Sequence, residues 1–189
     1  MVPFCRRPFL YLPPSVRTAH AAMSSIKNFE HIFESIINAA KYVAENSCPG
    51  WKENNYESAL VAELATTLGS FISVQQQVTL RTYFKTSSGA EVETGALRPD
   101  MRVECRCMDC EDLSQSSSLQ KVCYVEIKLD SRPNLQQAHI DQARGYAISA
   151  SRWARQPVAC LALAFTGKKT ILYDAFSGPA GNSIRYLCP

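Results

Sequence analysis

The chain has 189 residues, a formal net charge of +3 and 46% hydrophobic residues. That length suits one globular domain with an arm or tail, and that apolar share supports a packed core. The small net charge excludes a general polycation, so any nucleic-acid contact needs a local basic patch, and no apolar run reaches the roughly 20 residues of a membrane span.

Residues 1–25 read as an arm, interrupted by Pro3, Pro8, Pro13 and Pro14 and without an acidic residue before Glu30. Arg6, Arg7 and Arg17 among apolar residues fit a mitochondrial targeting segment, whereas the prolines fit a disordered leader ahead of a second start at Met23. A helix is predicted over 26–46 from Ile26, Phe29, Phe33, Ile36, Ile37, Ala40 and Val43, with Ser24 or Ser25 as cap and Cys48-Pro49-Gly50 as stop. A second helix is predicted over 53–68, with Tyr56, Leu60, Val61, Leu64 and Leu68 on one face and Gly69 at its end. Residues 71–84 read as β-structure, Ser87-Ser88-Gly89 as a turn, and 101–107 as a short strand. Residues 108–120 form a polar, serine-rich loop, and 121–129 (KVCYVEIKL) give the strongest strand pattern in the chain. A helix over 134–151, a buried strand over 157–165 and a last strand over 170–176 follow, and 177–189 read as a tail. Residues 26–176 thus form a single α/β domain whose alternation favours a central mixed sheet flanked by helices, with an extra N-terminal helix.

The chemistry concentrates in the strand over 121–129. Alternate strand residues share a face, so Glu126 and Lys128 project together while Val125, Ile127 and Leu129 turn to apolar packing. A carboxylate and an ammonium on a central strand need partners. Asp100, after Arg98-Pro99, converges on Glu126 if its strand pairs with the later one. Two carboxylates and the Ile127 carbonyl are hard oxygen donors suited to Mg²⁺ or Mn²⁺. Such an ion polarises a phosphodiester, and Lys128 would serve the attacking water or offset developing charge. The plain alternative is an exposed Glu–Lys pair at a strand end and a turn aspartate after proline.

Eight cysteines occur, at positions 5, 48, 105, 107, 110, 123, 160 and 188, behind no clear secretory signal. Reduced thiols in a soluble intracellular protein, nuclear or cytoplasmic, are the expectation. Cys105, Cys107, Cys110 and Cys123 could form a structural zinc site, but their spacing is not the usual paired one and free thiols are favoured. His139 precedes Gln142 on the third helix and reads as a surface histidine.

Pro99-Asp100 followed by Glu126-Ile127-Lys128 resembles the PD-(D/E)xK nuclease superfamily, with its restriction-endonuclease-like fold. More narrowly, Gly50-Trp51-Lys52-Glu53-Asn54-Asn55-Tyr56 fits the motif of the GxxExxY family, and Gln142-Ala143-Arg144-Gly145-Tyr146 continues the likeness. The resemblance covers roughly residues 50 to 175, about two thirds of the chain. It implies a Mg²⁺-dependent nuclease, with DNA favoured over RNA as substrate; a homo-oligomer is compatible with it, and the lack of a long apolar run argues against a membrane partner. It implies that Asp100, Glu126, the Ile127 carbonyl and Glu57 hold the metal, with Glu53, one turn earlier, as competitor to Glu57. It further implies that Gln142 holds the metal's water or a phosphate and that Tyr146 touches nucleic acid, against a Tyr146 ring packed in the core with its hydroxyl satisfied. A long Cys-rich loop and the N-terminal helix depart from the family pattern. A nucleic-acid- or protein-binding module without turnover and an RNA endonuclease are the alternative functions.

Overall fold

The computed structural model describes residues 29–68, 72–105, 121–130, 135–154, 158–177 and 184–188. The arm over 1–25, the caps Ser24 and Ser25, Gly69, and Cys107 and Cys110 lie outside them.

Helix α1 runs Glu30–Asn46 and is held by one apolar face: Phe29, Phe33, Ile36, Ile37, Ala40 and Val43 are all buried. It starts four residues later than the periodicity predicts, with Phe29 at the cap position and no side-chain cap hydrogen bond. Burial of the Phe29 ring fixes that end instead. Gly50, at φ 85°, makes the turn into α2, Glu53–Leu68, whose Tyr56, Leu60 and Leu64 are buried.

The β-rich stretch predicted over 71–84 is two strands, β1 (Ile72–Gln76) and β2 (Leu80–Lys85), separated at Gln77, whose φ is 50°. They join different sheets. β2 pairs antiparallel with β3 (Glu91–Leu97), a strand without an apolar alternation to reveal it, in a hairpin turned at Gly89. β1 lies at the edge of a six-stranded sheet of order β1-β4-β5-β6-β7-β8, with β4 at Met101–Cys105, β5 at Lys121–Leu129, β6 at Val158–Phe165, β7 at Ile171–Ser177 and β8 at Ile184–Cys188. β5 and β6 are parallel, joined through α3 (Gln137–Ala154), and every other pair is antiparallel. Residues 184–188, expected to be tail, pair with β7 and make β8 the edge strand, so Thr170–Phe176 does not mark the last strand.

The layers are α1 and α2, the sheet, then α3. α1 and α2 pack on Val103, Val125, Ile127, Leu161, Leu163 and Phe165. α3 covers the other face, placing Ile140, Ala143, Tyr146, Ala147 and Ala150 against Val122, Tyr124, Cys160 and Ala162. The chain is therefore α/β, a mixed sheet flanked by helices with an extra helix at the N-terminal side, consistent with a restriction-endonuclease-like arrangement. Among the described residues no helix is long and apolar enough to cross a membrane.

Candidate metal centre

Two neighbours fix Asp100 at the entry to β4. The Gln77 N–H donates to the Asp100 carbonyl at 2.8 Å, and the Ile127 N–H donates to Asp100 Oδ2 at 2.7 Å. The antiparallel register, Met101 opposite Val125, carries Asp100 to the end of β5 where Glu126 and Lys128 stand. The two strands pair as convergence of these residues requires.

Lys128 is the hub. Its Nζ lies 2.8 Å from Glu126 Oε1, 3.1 Å from Glu53 Oε1 and 3.7 Å from Asp100 Oδ2, and it donates to the Ile127 carbonyl at 2.9 Å. Glu53 also accepts the Leu129 N–H at 3.2 Å, which ties the first turn of α2 to the end of β5. The Ile127 carbonyl thus serves the ammonium of Lys128.

Carboxylate oxygens of Glu53, Glu57 and Asp100 all lie within 4.8 Å of one another, each residue half-buried. Glu53 and Glu57 are i and i+4 on α2 and so share a helix face. Both therefore reach the cluster. Glu126 lies outside that trio and deeper, at 1% exposure, facing α3. Its second oxygen accepts the Tyr146 hydroxyl at 2.7 Å. Lys128 and Tyr146 together offset the cost of burying this carboxylate.

Tyr146 is itself only 1% exposed, and its hydroxyl accepts from Gln142 Nε2 at 2.7 Å and lies 3.3 Å from the Arg98 carbonyl. Its ring packs in the core and its hydroxyl is satisfied, so it has no surface with which to touch nucleic acid. Gln142 is exposed and reaches the site through Tyr146. Leu129, expected in apolar packing, is 41% exposed at the last position of β5.

Burial pushes the Glu57, Asp100 and Glu126 carboxyls above their ordinary values, and for each the other acids of the cluster push the same way. For Asp100 the Ile127 N–H and Lys128 oppose that rise, and for Glu126 Lys128 and Tyr146 do, without cancelling it. Glu126, Asp100 and Glu53 hold Lys128 charged well above the ordinary lysine range, more than offsetting its own burial. Three carboxylates, of Glu53, Asp100 and Glu126, pair with the one ammonium of Lys128, and Glu57 adds a fourth acid beside them. Hard oxygen donors with an excess of negative charge fit a divalent cation of the Mg²⁺ or Mn²⁺ kind.

Of the four cysteines considered for zinc, Cys123 is fully buried beneath the helices and Cys105 partly so, with two others outside the described residues. Burial pushes the Cys123 thiol up, away from thiolate. His139 is half-buried rather than on the open surface. Nothing in the sequence pattern singled out Arg144, whose guanidinium donates to both oxygens of buried Asp174 at 3.2 and 3.3 Å and lies 5.6 Å over the Phe176 ring. The neighbouring Gly145-Tyr146 and the apolar β7 pattern carried no sign of that pair.

No protein-family model matches the chain, and no curated protein matches it. Among solved structures, it is similar to the central domain of yeast acetyl-CoA carboxylase at 13% identity and a TM-score of 0.26, over 87% of this chain. The chain spans 35% of that chain's length, and a likeness this weak carries no argument about fold or function.

Proposed function

We propose that this chain is a metal-dependent nuclease that hydrolyses phosphodiester bonds, with DNA as first substrate. The carrying observation is the cluster of Glu53, Glu57 and Asp100 within 4.8 Å, with Lys128 bound between Asp100, Glu53 and Glu126. The resemblance of Asp100, Glu126 and Lys128 to the PD-(D/E)xK pattern supports the same reading.

Asp100, Glu53 and Glu57 would hold the cation, with Glu126 adjoining through Lys128. A bound Mg²⁺ or Mn²⁺ supplies Lewis acidity toward a phosphodiester oxygen and lowers the pKa of water. Lys128 places a fixed positive charge beside the acids, where it orients water and offsets negative charge developing on phosphorus. Glu126 and the Ile127 carbonyl aim that ammonium, and Tyr146 and Gln142 aim Glu126 in turn. Asp100 is locked by the Ile127 N–H, so the acids are held in place before substrate arrives.

The test is cleavage of single- and double-stranded DNA and RNA with Mg²⁺, Mn²⁺ or EDTA. DNA cleavage dependent on the cation is expected, with Lys128→Ala and Asp100→Asn each lowering kcat by about 10²–10³. Metal-dependent cleavage of RNA alone would make the chain an RNA endonuclease. Absence of cleavage on every substrate would leave a binding module on the same fold.

A further inference from the structure

Beside the metal centre is a cavity of about 570 Å³, lined by the α1–α2 turn, the end of β5 and the β6–β7 turn. Its size falls within the range of small-ligand sites. It adjoins the acids through two residues: Leu129, whose N–H is held by Glu53, and Trp51, two positions before Glu53. One wall is aromatic. Trp51 and Tyr56 line it, edge-on at 5.3 Å between centroids, and buried Phe165 stacks behind Tyr56 at 4.4 Å. Its rim is cationic, with Lys169 lining it and Lys168 exposed alongside.

The β6–β7 turn is built to hold that rim. The Thr166 N–H and hydroxyl both donate to the Thr170 carbonyl at 3.1 Å, and the Lys168 N–H donates to Thr166 Oγ1 at 3.2 Å. Gly167 and Lys169 both sit at left-handed φ, 71° and 60°. For lysine this conformation is costly and persists only where the surroundings impose it.

We infer that this cavity receives an unpaired nucleobase of a single strand whose backbone crosses the metal centre, with Lys169 on a flanking phosphate. The ligand class rests on the nuclease reading; the pairing of an aromatic wall with a cationic rim is the chemistry of sequence-tolerant single-strand sites. A base inside a duplex is stacked on both faces and cannot enter without being unstacked, so the cavity selects single strands or unpaired ends.

Fluorescence anisotropy of the full chain in EDTA reads this, with a labelled oligothymidine strand and a blunt two-stranded duplex of equal length as probes. The single strand is expected to bind more tightly. Trp51→Ala should weaken that binding about tenfold, with recovery in Trp51→Phe, and leave the duplex unchanged. Lys169→Gln should lower the slope of log affinity against log salt by about 0.7. If Trp51→Ala proves unfolded by circular dichroism, the salt slope of exposed Lys169→Gln decides. Equal binding of both probes, or variants indistinguishable from the natural chain, overturns the inference. EDTA separates the two readings. Binding that depends on Trp51 without cleavage in the metal assay sinks the nuclease alone; cleavage with Trp51-independent binding sinks the base pocket alone.

Discussion

A buried carboxylate is stable only as long as its donors remain. Glu126 has two at short range, Lys128 Nζ at 2.8 Å and the Tyr146 hydroxyl at 2.7 Å. Tyr146→Phe keeps the ring packing and removes one of them. It is expected to cost about 1–3 kcal/mol in urea unfolding, the usual penalty for a buried acceptor losing its donor. The penalty depends on pH. The Tyr146 hydrogen bond opposes the rise of the Glu126 pKa, so the variant's folded pKa rises further above the unfolded value. A folded pKa raised in an acid means that stability falls as pH rises through the window between the two values. Tyr146→Phe should therefore lose least in acid and most near neutrality. Equal losses across that range would show that the tyrosine acts through packing alone.

At the scale of elements, α3 decides whether Tyr146 and Gln142 reach the sheet at all. Its buried row is mostly small: Ala143, Ala147 and Ala150 lie against β5 and β6, which lets the helix sit close. Ala147→Leu overfills that contact and is expected to cost about 1–3 kcal/mol. Ala138 is exposed on the same helix. Ala138→Gln there should stay within about 0.5 kcal/mol. Comparable melts for the two would remove close packing of α3 as the means of holding Tyr146. Much of this level was legible. The 3.6-residue apolar period marked α1 and α2, and the β-branched run marked β5. What escaped is instructive: β3 is almost wholly exposed and so has no alternation to read, and β8 is a five-residue edge in a segment with ordinary turn composition. β1 and β2 looked continuous because only the backbone turn at Gln77 separates them.

Across the whole molecule, the acid cluster sets a dependence on cation and pH together. Glu57, Asp100 and Glu126 have raised pKa values, so without a cation the fold gains stability as these groups protonate and loses it as pH rises through their raised values. Lys128 is also raised, and its contribution, complete below the ordinary lysine value, is lost only in strong alkali. Mn²⁺ or Mg²⁺ should therefore raise Tm near pH 8 and much less near pH 5, where protons compete for the same oxygens. At ten times Kd the gain is about 1.4 kcal/mol, or about 3–5 °C for a chain of this size. Differential scanning fluorimetry of the natural chain and of Glu57→Gln checks this. A cation effect that is equal at both pH values, or that survives in Glu57→Gln, would count against a metal at these acids.

The residues of the candidate site were legible in the sequence because their types and order along the chain are local facts: an aspartate after proline, an E-x-K on a β-branched strand, and acids one turn apart on a helix. Their division of labour was not. Which carboxylates gather within reach of one ion depends on where α2 crosses the end of β5, and that is set by packing between segments more than seventy residues apart. The tertiary structure accordingly brings Glu53 in beside Glu57 and Asp100, turns Glu126 inward to Tyr146, and buries the tyrosine that the chain alone left open between the core and a nucleic-acid contact. Local spacing fixes the direction of a side chain from its own element; only the packing of elements against one another fixes what it meets.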